Sequence, residues 1–175
     1  MKILIMCEGP NELKVINLLL NADKFSFTRD DLLNMRPYHA RQLSSPQLKP
    51  ALNAYHGKIE VYRIGDKMSE ALKDVRKYSN IIAERKFCTL PELEILLIIA
   101  EGRFNDYQKV KSKQKPKDFC KSNILFNHKR YDNTTKFYDD YFSSRIDFLV
   151  DAIKQYRHLN GSHKKDEGYL ADLLK

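Results

Sequence analysis

Lys2-Ile3-Leu4-Ile5-Met6-Cys7, then Glu8-Gly9-Pro10-Asn11-Glu12, then Leu13-Lys14-Val15-Ile16-Asn17-Leu18-Leu19-Leu20, is the stretch on which the reading of this chain turns. The unbroken apolar run from Ile3 to Cys7 predicts a short strand buried on both faces. Leu13, Ile16, Leu19 and Leu20 recur at helical spacing and predict a helix directly after it. The tight acidic turn between them then falls at the strand's carboxyl end, where an open α/β sheet binds its ligands. Glu8 and Glu12, four residues apart, are oxygen donors suited to a hard cation. Glu12 also suits the positive end of the helix dipole, and Glu8 a turn.

Further along, Lys58-Ile59-Glu60-Val61-Tyr62-Arg63-Ile64 alternates and is rich in β-branched and aromatic residues, the pattern of a second strand. It ends at Gly65-Asp66-Lys67, again an acid just past a strand, and Met68 to Tyr78 is predicted helical. Ile81 to Thr89 is predicted as a third strand. Pro91, at a first helical position, then opens a helix from Glu92 to Ala100, apolar almost all round and closed by Gly102. Residues 23–57 read as irregular. They include a short strand at Phe25 and Phe27, a helix start at Asp30-Asp31-Leu32-Leu33, and a helix over Gln47 to Ala54 introduced by Ser45-Pro46. Strand–helix alternation with an acid near each strand end predicts an α/β fold with a mainly parallel central sheet over residues 1–104.

From about residue 105 the character changes, and residues 105–175 read as a basic and helical C-terminal extension. Lys109, Lys111, Lys113, Lys115 and Lys117 alternate strictly, and Lys121 follows. Alternation aligns side chains on one face of an extended segment and scatters them around a helix, so an extended basic rim is expected. The tail from Tyr138 is helical, with Ile146, Leu149, Val150, Ile153 and Tyr156 as one apolar stripe. That stripe could pack within the chain or against a second copy, which leaves a homo-oligomer open. Glu167 to Lys175 is expected as a short amphipathic helix.

Composition narrows the classes. The 175 residues are 42% hydrophobic and 31% charged, as in an ordinary soluble protein, and no apolar run suits a membrane span. The opening strand is too short for a signal-peptide core, so a cytoplasmic location without membrane partners is expected. Cys7, Cys88 and Cys120 are widely spaced and odd in number, which argues against a disulfide framework or a structural zinc site. The net charge of +8 points to a polyanionic partner, nucleic acid being the commonest. Arg36 and Arg41 flank Tyr38 and His39, a cluster fitted to clamp phosphates and stack on a base. With Lys109, Lys111, Lys113 and Lys115 these arginines are the expected nucleic-acid contacts.

A hydrophobic strand ending in Glu8-Gly9, an acid four residues on at Glu12, and a following helix resemble the opening of a Toprim domain, the metal-binding α/β module of topoisomerases, bacterial primases and OLD-family nucleases. Members carry a glutamate after the first strand, matched by Glu8, and an Asp-x-Asp pair after a later one. Ile64-Gly65-Asp66-Lys67 supplies one acid of that pair, Asp66, with Lys67 beside it. Thr89-Leu90-Pro91-Glu92-Leu93-Glu94 is similar to a Pro-Glu-x-Glu element of small bacterial Toprim-like proteins, often of mobile elements or phage defence.

The resemblance covers about residues 1–100 and implies a Toprim-like Rossmannoid fold with Mg²⁺ or Mn²⁺ as cofactor. Glu8, Asp66 and Glu92 would be the metal ligands. Glu12, which also suits the helix dipole, ranks behind them, as does Glu94, because on a helix Glu92 and Glu94 point about 200° apart. Glu8, Asp66 and Lys67 would be catalytic, with Lys67 touching the scissile phosphate. The expected activity is cleavage of DNA or RNA. The alternative is a non-catalytic nucleic-acid-binding or regulatory module of a defence complex, which the single acid of the Asp-x-Asp pair favours.

Overall fold

The computed structural model describes residues 1–66, 69–159 and 163–175. Its centre is a five-stranded, wholly parallel sheet in the order β2-β1-β3-β4-β7. The strands are β1 (Lys2–Cys7), β2 (Tyr38–His39), β3 (Ile59–Gly65), β4 (Ile81–Cys88) and β7 (Glu167–Gly168). A separate two-residue hairpin joins β5 (Leu125–Phe126) to β6 (Lys129–Arg130).

The apolar run of β1 is explained by its position, because both of its faces are covered. Ile5 and Cys7 face one core, shared with Tyr62 and Ile64 of β3 and Phe87 of β4. Leu4 and Met6 face the other, shared with Ile59 and Val61. The first core is roofed by α1 (Pro10–Asn21), α3 (Ile95–Ala100), α6 (Thr135–Phe142) and α7 (Ile146–Leu159). The second is closed by α2 (Lys49–Ala54) and the segment around Leu33, Leu43 and Leu48. Helices on both faces of a parallel sheet define a doubly wound α/β protein. On the second face Arg63 is 4% exposed, and its guanidinium donates to Glu84 and to the Glu70 carbonyl, both at 2.8 Å. A buried charge is tolerated when it is paired in this way.

Several elements form as the sequence predicts. Among them are β1, α1, β3, β4 and α2, and a buried helix ending at Gly102. That glycine has φ +66°, and the Arg103 amide reaches back to the Ile98 carbonyl at 2.9 Å. Glycine adopts this left-handed turn at lower cost than a residue that carries a Cβ.

Other elements depart from expectation. Described residues 69–78 hold no α-helix, only a 3₁₀ turn at Val75–Lys77, and the Glu70 carbonyl accepts from Arg63 instead. The helix predicted from Glu92 starts at Ile95, leaving residues 89–94 as an irregular turn. The expected extended lysine rim is replaced by α4 (Phe104–Val110), a turn, and α5 (Pro116–Asn123). Tyr107 of α4 and Phe119 and Cys120 of α5 are buried in the core, and their burial outweighs any preference of the lysines. The last residues form β7 and a 3₁₀ turn at Leu170–Leu173 rather than an amphipathic helix. The α7 stripe is satisfied within the chain, where Leu149, Ile153 and Tyr156 are buried and α7 lies against α3. No described helix is long and apolar enough to cross a membrane.

Candidate functional site

The chain order sets the location. From β1 it goes to β2 on one side and then crosses back to β3 on the other, so the strand order reverses between β1 and β3. A crevice opens at the carboxyl ends of strands at such a point. Cys7 and Ile64 are register partners, and the Glu8 amide extends the ladder to the Ile64 carbonyl at 2.8 Å. Glu8 and Asp66 therefore leave the sheet side by side.

A cleft of about 220 Å³ lies there, lined by Gly9, Asn11, Glu12, Asp66, Glu92, Glu94, Lys117 and Asn133 among others. Three of the acids are held by their local structure. Glu12 stands in the first turn of α1 with its carboxylate folded back over Gly9, where a Cβ would come 2.5 Å from Oε2. Gly9 is thus needed for close approach. Glu92 accepts the Lys117 amide at 3.0 Å, at the start of α5. Glu94, 4% exposed, accepts the Tyr131 hydroxyl at 2.6 Å. Because residues 89–94 are not helical, the expected divergence of Glu92 and Glu94 does not arise, and both line the same cleft.

The electrostatics follow from this crowding. Burial pushes the Glu12 carboxyl up to about 7, its own backbone amide opposes the rise, and the charges of Asp66, Glu8 and Glu94 add to it. Burial likewise raises Glu94, against the Tyr131 hydrogen bond, with Glu92 raising it further and Lys117 lowering it. The donors are hard oxygens. Among the described residues, no three His, Cys, Asp or Glu side chains are already closed around one point as a metal shell. Oxygen donors of this kind are the ones hard divalent cations take.

The other expected site residues fall in three places. Glu8 does not line the cleft itself; its carboxylate pairs with Arg41 at 3.5 Å, and Arg41 Nε also donates to the Glu8 carbonyl at 3.3 Å. Arg36 stacks on Tyr38 at 4.9 Å, but Tyr38 is buried and so is not presented to a base. Lys109, Lys111, Lys113 and Lys115 are exposed outside the cleft, Lys109 paired with Asp106 at 3.4 Å. Lys67 lies outside the described residues. Burial pushes Cys7 and Cys120 up, and Cys88 up to about 12, which unsuits them as nucleophiles.

Sequence reasoning overlooked the far wall. Lys117 and Asn133 come from the C-terminal part, with Tyr131 behind them on Glu94 and Asn11 Nδ2 donating to Asn133 Oδ1 at 3.2 Å across the chain. Lys115-Pro116-Lys117 did carry a signal, since proline favours a first helical position. Nothing local marks Tyr131 or Asn133. The fold and site together define a doubly wound α/β protein with an acid-lined cleft at its switch point. Compared with protein-family models, curated proteins and solved structures, the chain matches none.

Proposed function

We propose that this protein cleaves nucleic-acid phosphodiester bonds with the help of Mg²⁺ or Mn²⁺, on a Toprim-like scaffold. The observation that carries the reading is the convergence of Glu12, Asp66, Glu92 and Glu94 on one cleft at the strand ends. Glu12 is raised first by burial and then by the charges of Asp66, Glu8 and Glu94, and a bound divalent cation would offset both. These carboxylates would hold the ion, with Glu8 beside them on the ladder extension. The metal would supply polarisation of a phosphoryl oxygen and acidification of a bound water. Tyr131 and the Lys117 amide fix Glu94 and Glu92 in place, and Gly9 leaves room for Glu12. Arg41 and the exposed lysines at 109–115 would draw in the polyanion.

The Glu8–Arg41 pair favours a second reading, a binding module that retains the scaffold without the reaction, because it engages an expected ligand. End-labelled DNA and RNA incubated with Mg²⁺ or Mn²⁺, and again with EDTA, separate the two. Metal-dependent shortening or nicking, abolished by EDTA and by Asp66→Asn, is the expected result. A shifted probe of unchanged length in both conditions supports the binding module. Cleavage that survives Glu8→Gln removes Glu8 from the ion's holders.

A further inference from the structure

Among the described residues that line the acidic cleft, Lys117 is the only cation. Its backbone is tied to the cleft, because its amide is bound to Glu92 Oε2 at 3.0 Å and Pro116 precedes it at the start of α5. Its charge is felt at Glu94. Even so, no ion pair of its ammonium is found among the described residues, whereas Lys14, Lys24, Lys86, Lys109 and Lys136 each hold an aspartate. A half-buried lysine beside four carboxylates, its ammonium closing on none of them among the described residues, remains available to another anion.

We infer that Lys117 is a substrate-contacting residue, binding a non-bridging oxygen of the phosphate that enters the cleft. This rests on the proposed metal-dependent reading. With the cleft unfilled by a cation, four carboxylates repel a phosphate and Lys117 alone cannot offset them. With a divalent cation in place the repulsion is cancelled, and the ammonium forms a charge-assisted hydrogen bond with the phosphate. Binding at Lys117 is therefore conditional on the cation, unlike binding by exposed lysines, which add attraction in either state.

The test uses the full chain and a short fluorescein-labelled single-stranded DNA, read by anisotropy with Ca²⁺, which supports binding while withholding cleavage, and again with EDTA. Lys117→Met should weaken binding about tenfold or more with Ca²⁺ and less than about twofold with EDTA. Lys117→Arg should recover most of the loss. Lys121→Met on the exposed side of α5 carries the same charge change and should act equally in both conditions. Manganese affinity of Lys117→Met, read by electron paramagnetic resonance, should be unchanged or tighter. Equal weakening with and without cation, or none, overturns the inference while leaving the metal reading intact. Absence of manganese binding by the wild-type chain overturns both.

Discussion

The Tyr131 hydroxyl meets Glu94 Oε1 at 2.6 Å, thirty-seven residues away along the chain and almost wholly out of solvent. The same oxygen lies 3.0 Å from Asn133 Oδ1 and 3.4 Å from the Tyr138 hydroxyl. A phenol has one hydrogen to give, and an ionised carboxylate only accepts. The proton on Tyr131 thus belongs to Glu94 whenever Glu94 is charged, and this bond ties the C-terminal segment to the acidic cleft.

Tyr131→Phe keeps the ring contacts with Phe137 and Tyr138 and removes only that donor. A hydrogen bond to a buried charge contributes about 1.5–3 kcal/mol. Thermal unfolding should drop by roughly 3–10 °C. Manganese affinity should fall as well, because Glu94 loses the partner that stabilises its charged form. An unchanged melting temperature would show that the bond contributes nothing.

Glu12 makes stability depend on pH with a definite sign. Its folded value, about 7, lies above its ordinary 4.5, so the folded state binds the proton more tightly than the unfolded one. The contribution is complete below pH 4.5 and is lost as pH rises through 7, and it amounts to roughly 3 kcal/mol. In EDTA, denaturant unfolding should show stability falling across that window. Glu12→Gln should flatten the fall, and Mg²⁺ should counteract it in the wild type.

Gly9→Ala places a methyl group 2.5 Å from Glu12 Oε2. The obstructing atom is the far end of a flexible side chain, so the fold should survive while the carboxylate is displaced. Circular dichroism should be unchanged, and manganese affinity should fall by about tenfold, the loss of roughly one charge-assisted contact. Retained affinity would mean that Glu12 does not hold the ion.

Leu149→Ala removes a fully buried side chain from α7, in the core shared with α3 and β1. Such a truncation costs about 2–5 kcal/mol. Because the C-terminal helices share that core, urea unfolding should remain a single transition with a lower midpoint. Two separated transitions would show that residues 105–175 fold independently.

The architecture was legible where the signal is local. An apolar run followed by helical spacing marked β1 and α1, alternation marked β3, and the acids at positions 8, 12 and 66 stood visibly past strand ends. The lysine alternation misled because charge spacing is weaker than the burial of Tyr107, Phe119 and Cys120. The fifth strand was illegible because Glu167 and Gly168 become strand only through pairing with Lys86 and Phe87.

The chain by itself therefore determined a parallel α/β sheet with acids at its carboxyl edge, since periodicity and strand ends are properties of neighbours in sequence. Only the tertiary structure decided which acids share a cleft and what faces them. Lys117 reaches Glu92 across 25 residues, Tyr131 reaches Glu94 across 37, and Asn133 reaches Asn11 across 122. Such meetings follow from helices docking on a common core, and no local pattern encodes where a docked helix will set its side chains.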